Sequence, residues 1–218
     1  MFDKQFIAIL VGPKKSGKSR LVKKIIKDKG VKDNFDYIFV LCPTLDKNDD
    51  YDFLKSTKKL KVGKSSYKTE FKTIIEESIE RQGCIINEYT KQKCPNILFI
   101  LDDCANTEIL RPKGVVDNFA LEHRHSNISF LIVGHRLQGV SAIPVSIRDQ
   151  ADYMFFLNPT NFQELEKIID NNIPRMYKKD FVKRVLKIFE TPFNFLMINT
   201  RKPFNKRYSE GFDDILDM

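Results

Sequence analysis

The stretch "FIAILVGPKKSGKSRLVKKII", residues 6–26, decides how the rest of the chain is read. Residues 6–11 are apolar without a break, the pattern of a strand buried on both faces of a parallel sheet. Residues 18–29 then recur at the helical period. Leu21, Val22, Ile25 and Ile26 share one face, and Gly30 follows the end. Between strand and helix, residues 12–19, "GPKKSGKS", match G-x-x-x-x-G-K-[ST] at every fixed position. Small residues let the backbone curl so that successive N–H groups point inward at phosphate oxygens, and the start of the helix favours the same anion. The segment Gly12, Pro13, Lys14, Lys15, Ser16, Gly17, Lys18, Ser19 and Arg20 is therefore the expected cradle of ATP. In such a loop Lys18 reaches the β- and γ-phosphates and the Ser19 hydroxyl ligates Mg²⁺. A basic turn before a helix is the bland alternative; the strand before the loop and the helix after it argue against it.

A phosphate loop needs a carboxylate at the end of a neighbouring parallel strand. Residues 97–103, "ILFILDD", supply an apolar run and then two acids. Asp102 is expected on the metal shell. Asp103, turned the other way, is placed to polarise the attacking water as a general base. An Asp pair after a strand also serves as a turn or helix cap, the competing structural reading. The sequence lacks the N-K-x-D element of guanine-specific switch proteins and shows no arginine-rich lid of a small kinase. Motor-type ATPases insert a strand between the loop strand and the carboxylate strand. The strand "YIFVL", residues 37–41, and the long helix after it leave room for that topology.

Strands and helices alternate through most of the 218 residues, so the expected fold is α/β, with the phosphate loop on a mostly parallel central sheet flanked by helices. One domain over 1–218 is expected, with its core at about 6–169 and a helix and strand extension at 170–218. Residues 44–66 are polar and lysine-rich and read as a surface excursion. Residues 67–93 read as a long helix through Phe71, Ile74, Ile75, Ile79, Ile86 and Tyr89, with Gly83 a candidate break. A helix is expected to close over 118–125, and strands over 128–133 and 153–157. Another helix should start near Thr160 or Asn161, with Glu164 as capping-box partner. Pro174 then separates it from a helix over 178–189, and residues 193–199 alternate like a late edge strand.

The net charge of +8 favours a polyanionic partner, although an AT-rich genome writes lysine just as freely. Cys42, Cys84, Cys94 and Cys104 lack zinc-site spacing and read as reduced thiols. The first ten residues make a poor signal peptide. No run approaches 18 apolar residues, so no membrane span is expected.

The most particular stretches are "EHRHSNISFLIVGHR", residues 122–136, and "IPVSIRDQADYMFF", residues 143–156. Each brings cationic side chains to a strand: Arg124 before it, His135 and Arg136 at its end, Arg148 before the next. With "GPKKSGKS" and "ILFILDD", in that order and at similar separations, these residues resemble the viral genome-packaging ATPases of the FtsK–HerA superfamily, of the poxvirus, giant-virus and virophage type. The resemblance covers about residues 6–169. It implies a RecA-like P-loop ATPase core, assembled as a homo-oligomeric ring, pentamer or hexamer, that drives double-stranded DNA into a preformed capsid with ATP and Mg²⁺. Capsid vertex proteins would be partners, and the host cytoplasm (the viral factory) or the virion the location. By position, Lys18 and Ser19 match the family's phosphate loop, and Asp102 and Asp103 its acidic pair. Arg124 or Arg148 matches a finger reaching a neighbour's γ-phosphate. The family commonly ends its sensor strand in Gln; here His135 stands there, with Gln138 three residues on, and either is a candidate sensor. No nuclease domain of the terminase kind is visible.

Basic segments with interleaved aromatics, 55–68 "KSTKKLKVGKSSYK" and 200–208 "TRKPFNKRY", are candidate DNA contacts, as is the loop 136–146. A solvated charged face explains each equally well. Two other readings compete with a packaging motor: a different DNA-translocating ATPase or helicase, and a nucleotide-gated DNA-binding or assembly factor with little turnover. A small-molecule kinase would ignore DNA.

Overall fold

The opening apolar run forms β1 (Ile7–Val11), every residue of it buried. The computed structural model describes residues 2, 4–47, 49–136, 142–159, 162–172 and 178–216. The other strands are β2 (Tyr37–Leu41), β3 (Lys61–Ser65), β4 (Ile97–Asp102), β5 (Ile128–Gly134), β6 (Tyr153–Leu157), β7 (Phe195–Asn199), β8 (Tyr208–Glu210) and β9 (Asp214–Ile215). Among the described residues they form one nine-stranded sheet in the order β3-β2-β4-β5-β1-β6-β7-β8-β9. All pairings from β3 to β6 are parallel, and those from β6 to β9 are antiparallel. The expected α/β class with a mostly parallel sheet is the observed one.

The strands are apolar throughout because both faces are covered. Alternate residues of β1 enter two separate cores: Ile7, Ile9 and Val11 pack on one side, Ala8 and Leu10 on the other. The second side is closed by α1 (Lys18–Lys23), which continues as a π-helical turn over Lys24–Asp28. It buries Leu21, Val22, Ile25 and Ile26, the face read from the sequence. The first side is covered by α2 (Lys68–Glu88), α3 (Val115–Phe119), α4 (Val145–Asp149), α5 (Phe162–Asn172) and α6 (Lys178–Glu190). On that side Phe39, Phe99 and Phe130 stack across three strands at centroid distances of 5.2 and 5.7 Å.

Several expectations are corrected. The inserted strand between β1 and β4 is β5, not "YIFVL", which is β2 and lies beyond β4. The excursion 44–66 ends in β3, an edge strand whose sequence, KVGKS, carries no apolar pattern. Its Gly63 is required by packing: a Cβ there would lie 2.6 Å from Cδ1 of Phe39. The long helix stops at Glu88 rather than 93, and it runs through Gly83 without a break. The expected helix over 118–125 is the short α3 followed by turns. β7 is interior, because β8 and β9 extend the sheet beyond it. The helix start at 160–161 and Pro174 lie outside the described residues, as does the side chain of Glu164.

Candidate active site

The phosphate loop leaves β1 and enters α1 through two left-handed residues, Lys15 (φ 64°) and Gly17 (φ 98°). The amide and hydroxyl of Ser16 both donate to the Pro13 carbonyl, at 3.3 and 2.8 Å, which closes the curl. Gly12 must be glycine, since a Cβ would stand 2.6 Å from Ser16 Oγ and 2.9 Å from Leu157 Cβ. Lys14, Lys15 and Arg20 are exposed around this cradle.

Lys18 folds back over the loop. Its Nζ donates to the carbonyls of Gly12 and Pro13, at 2.7 and 2.8 Å, and stands 3.0 Å from Nδ1 of His135. Burial lowers its pKa, opposed by the charges of Asp102 and Asp103. An ammonium only donates, so Nδ1 accepts and the imidazole proton sits on Nε2. That nitrogen faces Oδ1 of Asp103 at 3.3 Å. The neutral His135 thus bridges the loop lysine and the second acid, because β5 runs between β1 and β4 and ends level with both. Asp103 itself adopts φ 54°, an uncommon conformation that turns it out of the strand.

Asp102 meets a different partner. Tyr51, only 1% exposed, donates its hydroxyl to Oδ2 of Asp102 at 2.9 Å. Burial raises the Asp102 pKa above its ordinary 3.8, and the Tyr51 hydrogen bond lowers it in part. Burial, with the neighbouring Asp102, also pushes the Tyr51 hydroxyl well above 10. The adjacent Asp50 accepts from Ser19 Oγ at 2.9 Å. The segment read as a surface excursion therefore delivers Asp50 and Tyr51 to the two residues expected to hold the metal. The sequence signal was slight, an aromatic pair, Tyr51 and Phe53, within an acidic run.

The donors near the loop, the Ser19 hydroxyl and the Asp102 carboxylate with Asp50 beside them, are oxygens. Such a set suits a hard divalent cation such as Mg²⁺. Among the described residues no group of three or more His, Cys, Asp or Glu forms a protein-only metal cage. A magnesium ion that takes much of its shell from phosphate and water does not need one.

The structure brings Lys18, Ser19, Asp102, Asp103 and His135 together and leaves the two candidate arginines elsewhere. Arg124 precedes β5 and pairs with Asp152, which also accepts from the backbone N–H of Ile7 at 2.9 Å. Both carboxylate contacts lie where β1, β5 and β6 begin, the sheet edge opposite the loop. Arg148 lies on α4, one turn before that same edge; its Nε is buried without a partner among the described residues. Gln138, with the rest of residues 137–141 in the loop 136–146, lies outside the described residues. Lys58, Lys59 and Lys61 are exposed near the start of β3. Lys202 and Lys206 are exposed near the end of antiparallel β7, so these lysines also stand at the edge opposite the loop. Arg201 is committed to Asp152 at 2.8 Å. All four cysteines are free thiols. No helix among the described residues is long and apolar enough to cross a membrane.

Comparison with known proteins gives a consistent picture. The family described as "Poxvirus A32 protein" matches residues 1–196. Curated protein sequences give no match. Among solved structures, the fold is similar to the genome packaging NTPase B204 from Sulfolobus turreted icosahedral virus 2 in complex with ATP-gammaS. That match has TM-score 0.61 and 18% identity, covering 99% of this chain and 100% of that one. B204, the DNA-packaging ATPase from Sulfolobus turreted icosahedral virus, gives TM-score 0.64 at 18% identity, with 99% and 100% covered. The cytoplasmic domain of the type VII secretion ATPase EccC from Thermomonospora curvata gives TM-score 0.64 at 12% identity, covering 98% of this chain and 26% of that one. At these identities the likeness is one of fold.

Proposed function

The chain is a member of the Poxvirus A32 protein family, and from that premise we propose that it is an ATP-driven motor that moves double-stranded DNA into a preformed capsid. The observation that carries the reading is the line Lys18–His135–Asp103, with contacts of 3.0 and 3.3 Å. It joins the phosphate loop to a carboxylate across the inserted strand. The solved packaging NTPase with the same fold holds an ATP analogue, which supports ATP as the nucleotide here.

In this mechanism ATP lays its phosphates along the N–H groups of residues 12–19. Lys18 exchanges the Gly12 and Pro13 carbonyls for the β- and γ-phosphate oxygens. Ser19 and Asp102 would hold Mg²⁺, which would supply charge neutralisation on the phosphates. Asp103 takes the proton of the attacking water, and His135 fixes its orientation through Nε2–H. ADP and phosphate are the products.

The motor works as a ring. Arg124 is 54% exposed at the edge opposite its own loop, which supports a role at a neighbour's γ-phosphate. Arg148, with its Nε buried, is the weaker candidate. The exposed Lys58, Lys59, Lys61, Lys202 and Lys206 are candidate contacts to duplex phosphates, which need no base reading.

The test is steady-state ATP turnover with and without duplex DNA, for wild type and Lys18→Ala. Turnover that rises with duplex DNA and vanishes in Lys18→Ala is expected. Turnover indifferent to duplex DNA in the assembled ring would sink the motor reading. Mixing Lys18→Ala and Arg124→Ala subunits then tests the ring, since each lacks a different half of a shared site and the mixture should regain activity.

A further inference from the structure

One face of the loop is unaccounted for by phosphate chemistry. Phe193 lies in the turn, closed by the Asn194 N–H on the Thr191 carbonyl, that leads into β7, and is 54% exposed, with a left-handed backbone at φ 64°. A bulky residue rarely adopts that conformation, and it persists where the surroundings over-determine it. Here the surroundings are the phosphate loop itself. A Cβ on Gly17 would stand 2.7 Å from Phe193 Cδ1, so the ring lies directly on the loop. The Arg20 guanidinium lies 5.3 Å from the ring centroid. Asn194 steadies the turn, accepting from the Phe195 N–H at 3.0 Å and donating to Glu210 at 2.7 Å. A cavity of about 830 Å³ opens there, lined by Gly17, Arg20, Lys24, Phe193 and Phe212 among others.

The strand order fixes which end of a nucleotide arrives at this cavity. His135 and Asp103 stand on the β5–β4 side of β1, so the γ-phosphate end faces that way. The other end must leave on the β6–β7 side. β7 is antiparallel, and its first residue, Phe195, pairs with Leu157 at the end of β6. The loop before β7 therefore emerges at the same sheet edge as the phosphate loop, with Phe193 beside it.

We propose that Phe193, flanked by Arg20, is the platform on which the nucleobase stacks. The inference rests on the reading of residues 12–19 as the phosphate site and adds the class of group bound next to it. A stacking platform grips by ring area and polarisability, so purine nucleotides should bind more tightly than pyrimidine ones.

The chain contains no tryptophan, so Phe193→Trp installs a single indole reporter. Calorimetric titration with the non-hydrolysable analogue AMPPCP and with inorganic triphosphate separates base from phosphate. Phe193→Ala is expected to weaken AMPPCP by about 5- to 150-fold while leaving triphosphate binding at its wild-type value. In Phe193→Trp the emission should change on adding AMPPCP and not on adding triphosphate. Equal losses for both ligands in Phe193→Ala, no loss for either, or a silent indole while calorimetry records AMPPCP binding would overturn the platform alone. Wild type that binds neither ligand, or Lys18→Ala that binds both normally, would overturn the phosphate site and the platform together.

Discussion

The hydroxyl of Tyr51 and the carboxylate of Asp102 are joined at 2.9 Å, although fifty-one positions apart in the chain. Tyr51 is almost wholly buried, so its ring anchors the β2–β3 connection while its hydroxyl satisfies an acid that burial disfavours. Removing the hydroxyl in Tyr51→Phe leaves a buried acceptor unmet, at a cost of about 1–3 kcal/mol. Each kcal/mol corresponds to a fall of about 2–4 °C in melting temperature for a chain of this size.

Asp102→Asn should act in the opposite direction on the ligand-free protein. A carboxyl whose folded pKa is raised adds stability below its unfolded value and loses it as pH rises through the folded one. At neutral pH the ionised group is therefore a burden, and the amide should raise the melting temperature while abolishing the gain from Mg²⁺ and nucleotide. A melting temperature that falls in Asp102→Asn would contradict this.

His135 separates chemistry from binding. His135→Ala should lower kcat by about 10²- to 10³-fold, the usual cost of removing one positioned donor. Binding of AMPPCP should stay within a few-fold of wild type. His135→Gln keeps a side-chain N–H toward Asp103 and should recover most of the rate. Equal losses in binding and kcat would instead make His135 a prop for the loop.

His123 sets a pH dependence of stability. It is 2% exposed, and its Nδ1–H donates to the Ile128 carbonyl at 3.0 Å. Burial lowers its pKa below 6.5; the Ile128 carbonyl and Asp152 oppose the shift, and Arg124 and Arg201 reinforce it. The unfolded chain therefore binds the proton first as pH falls. The stability is present above pH 6.5 and is lost as pH drops through the folded value. Urea unfolding at pH 7.5 and 5.5 should show a smaller decline for His123→Asn than for wild type.

Asp152 ties the beginnings of β1, β5 and β6 together. It is 2% exposed and accepts from the Ile7 N–H, Arg124 and Arg201. Asp152→Ala leaves two guanidiniums and a backbone N–H without their acceptor and should cost about 3 kcal/mol, the lower end for breaking a buried pair because the arginines reach solvent. A melting temperature within a degree of wild type would mean that water replaces the carboxylate.

The site is partly legible in the sequence. Residues 12–19 form a local motif whose spacing is dictated by its own backbone, and the acidic pair follows an apolar run that only a buried strand explains. Asp50, Tyr51 and Phe193 were not legible. They sit in connections, where no hydrophobic period marks a position, and each matters through one contact with a residue far along the chain. β3 was missed for a related reason: an edge strand with half its surface in water needs no apolar run, and Gly63 is explained only by the ring of Phe39 beside it.

The sequence by itself determined what is encoded within a few residues: the phosphate loop between strand and helix, the two acids after an apolar run, and the alternation that makes an α/β sheet. Only the tertiary structure decided the strand order. It put β5 rather than β2 between loop and acids, set His135 against both Lys18 and Asp103, carried Arg124 to the opposite edge, and turned β7 so that Phe193 meets Gly17. The physical reason is that strand pairing is made by backbone groups common to every residue, so any apolar strand can pair with any other. The choice among pairings is made by the packing of the whole sheet.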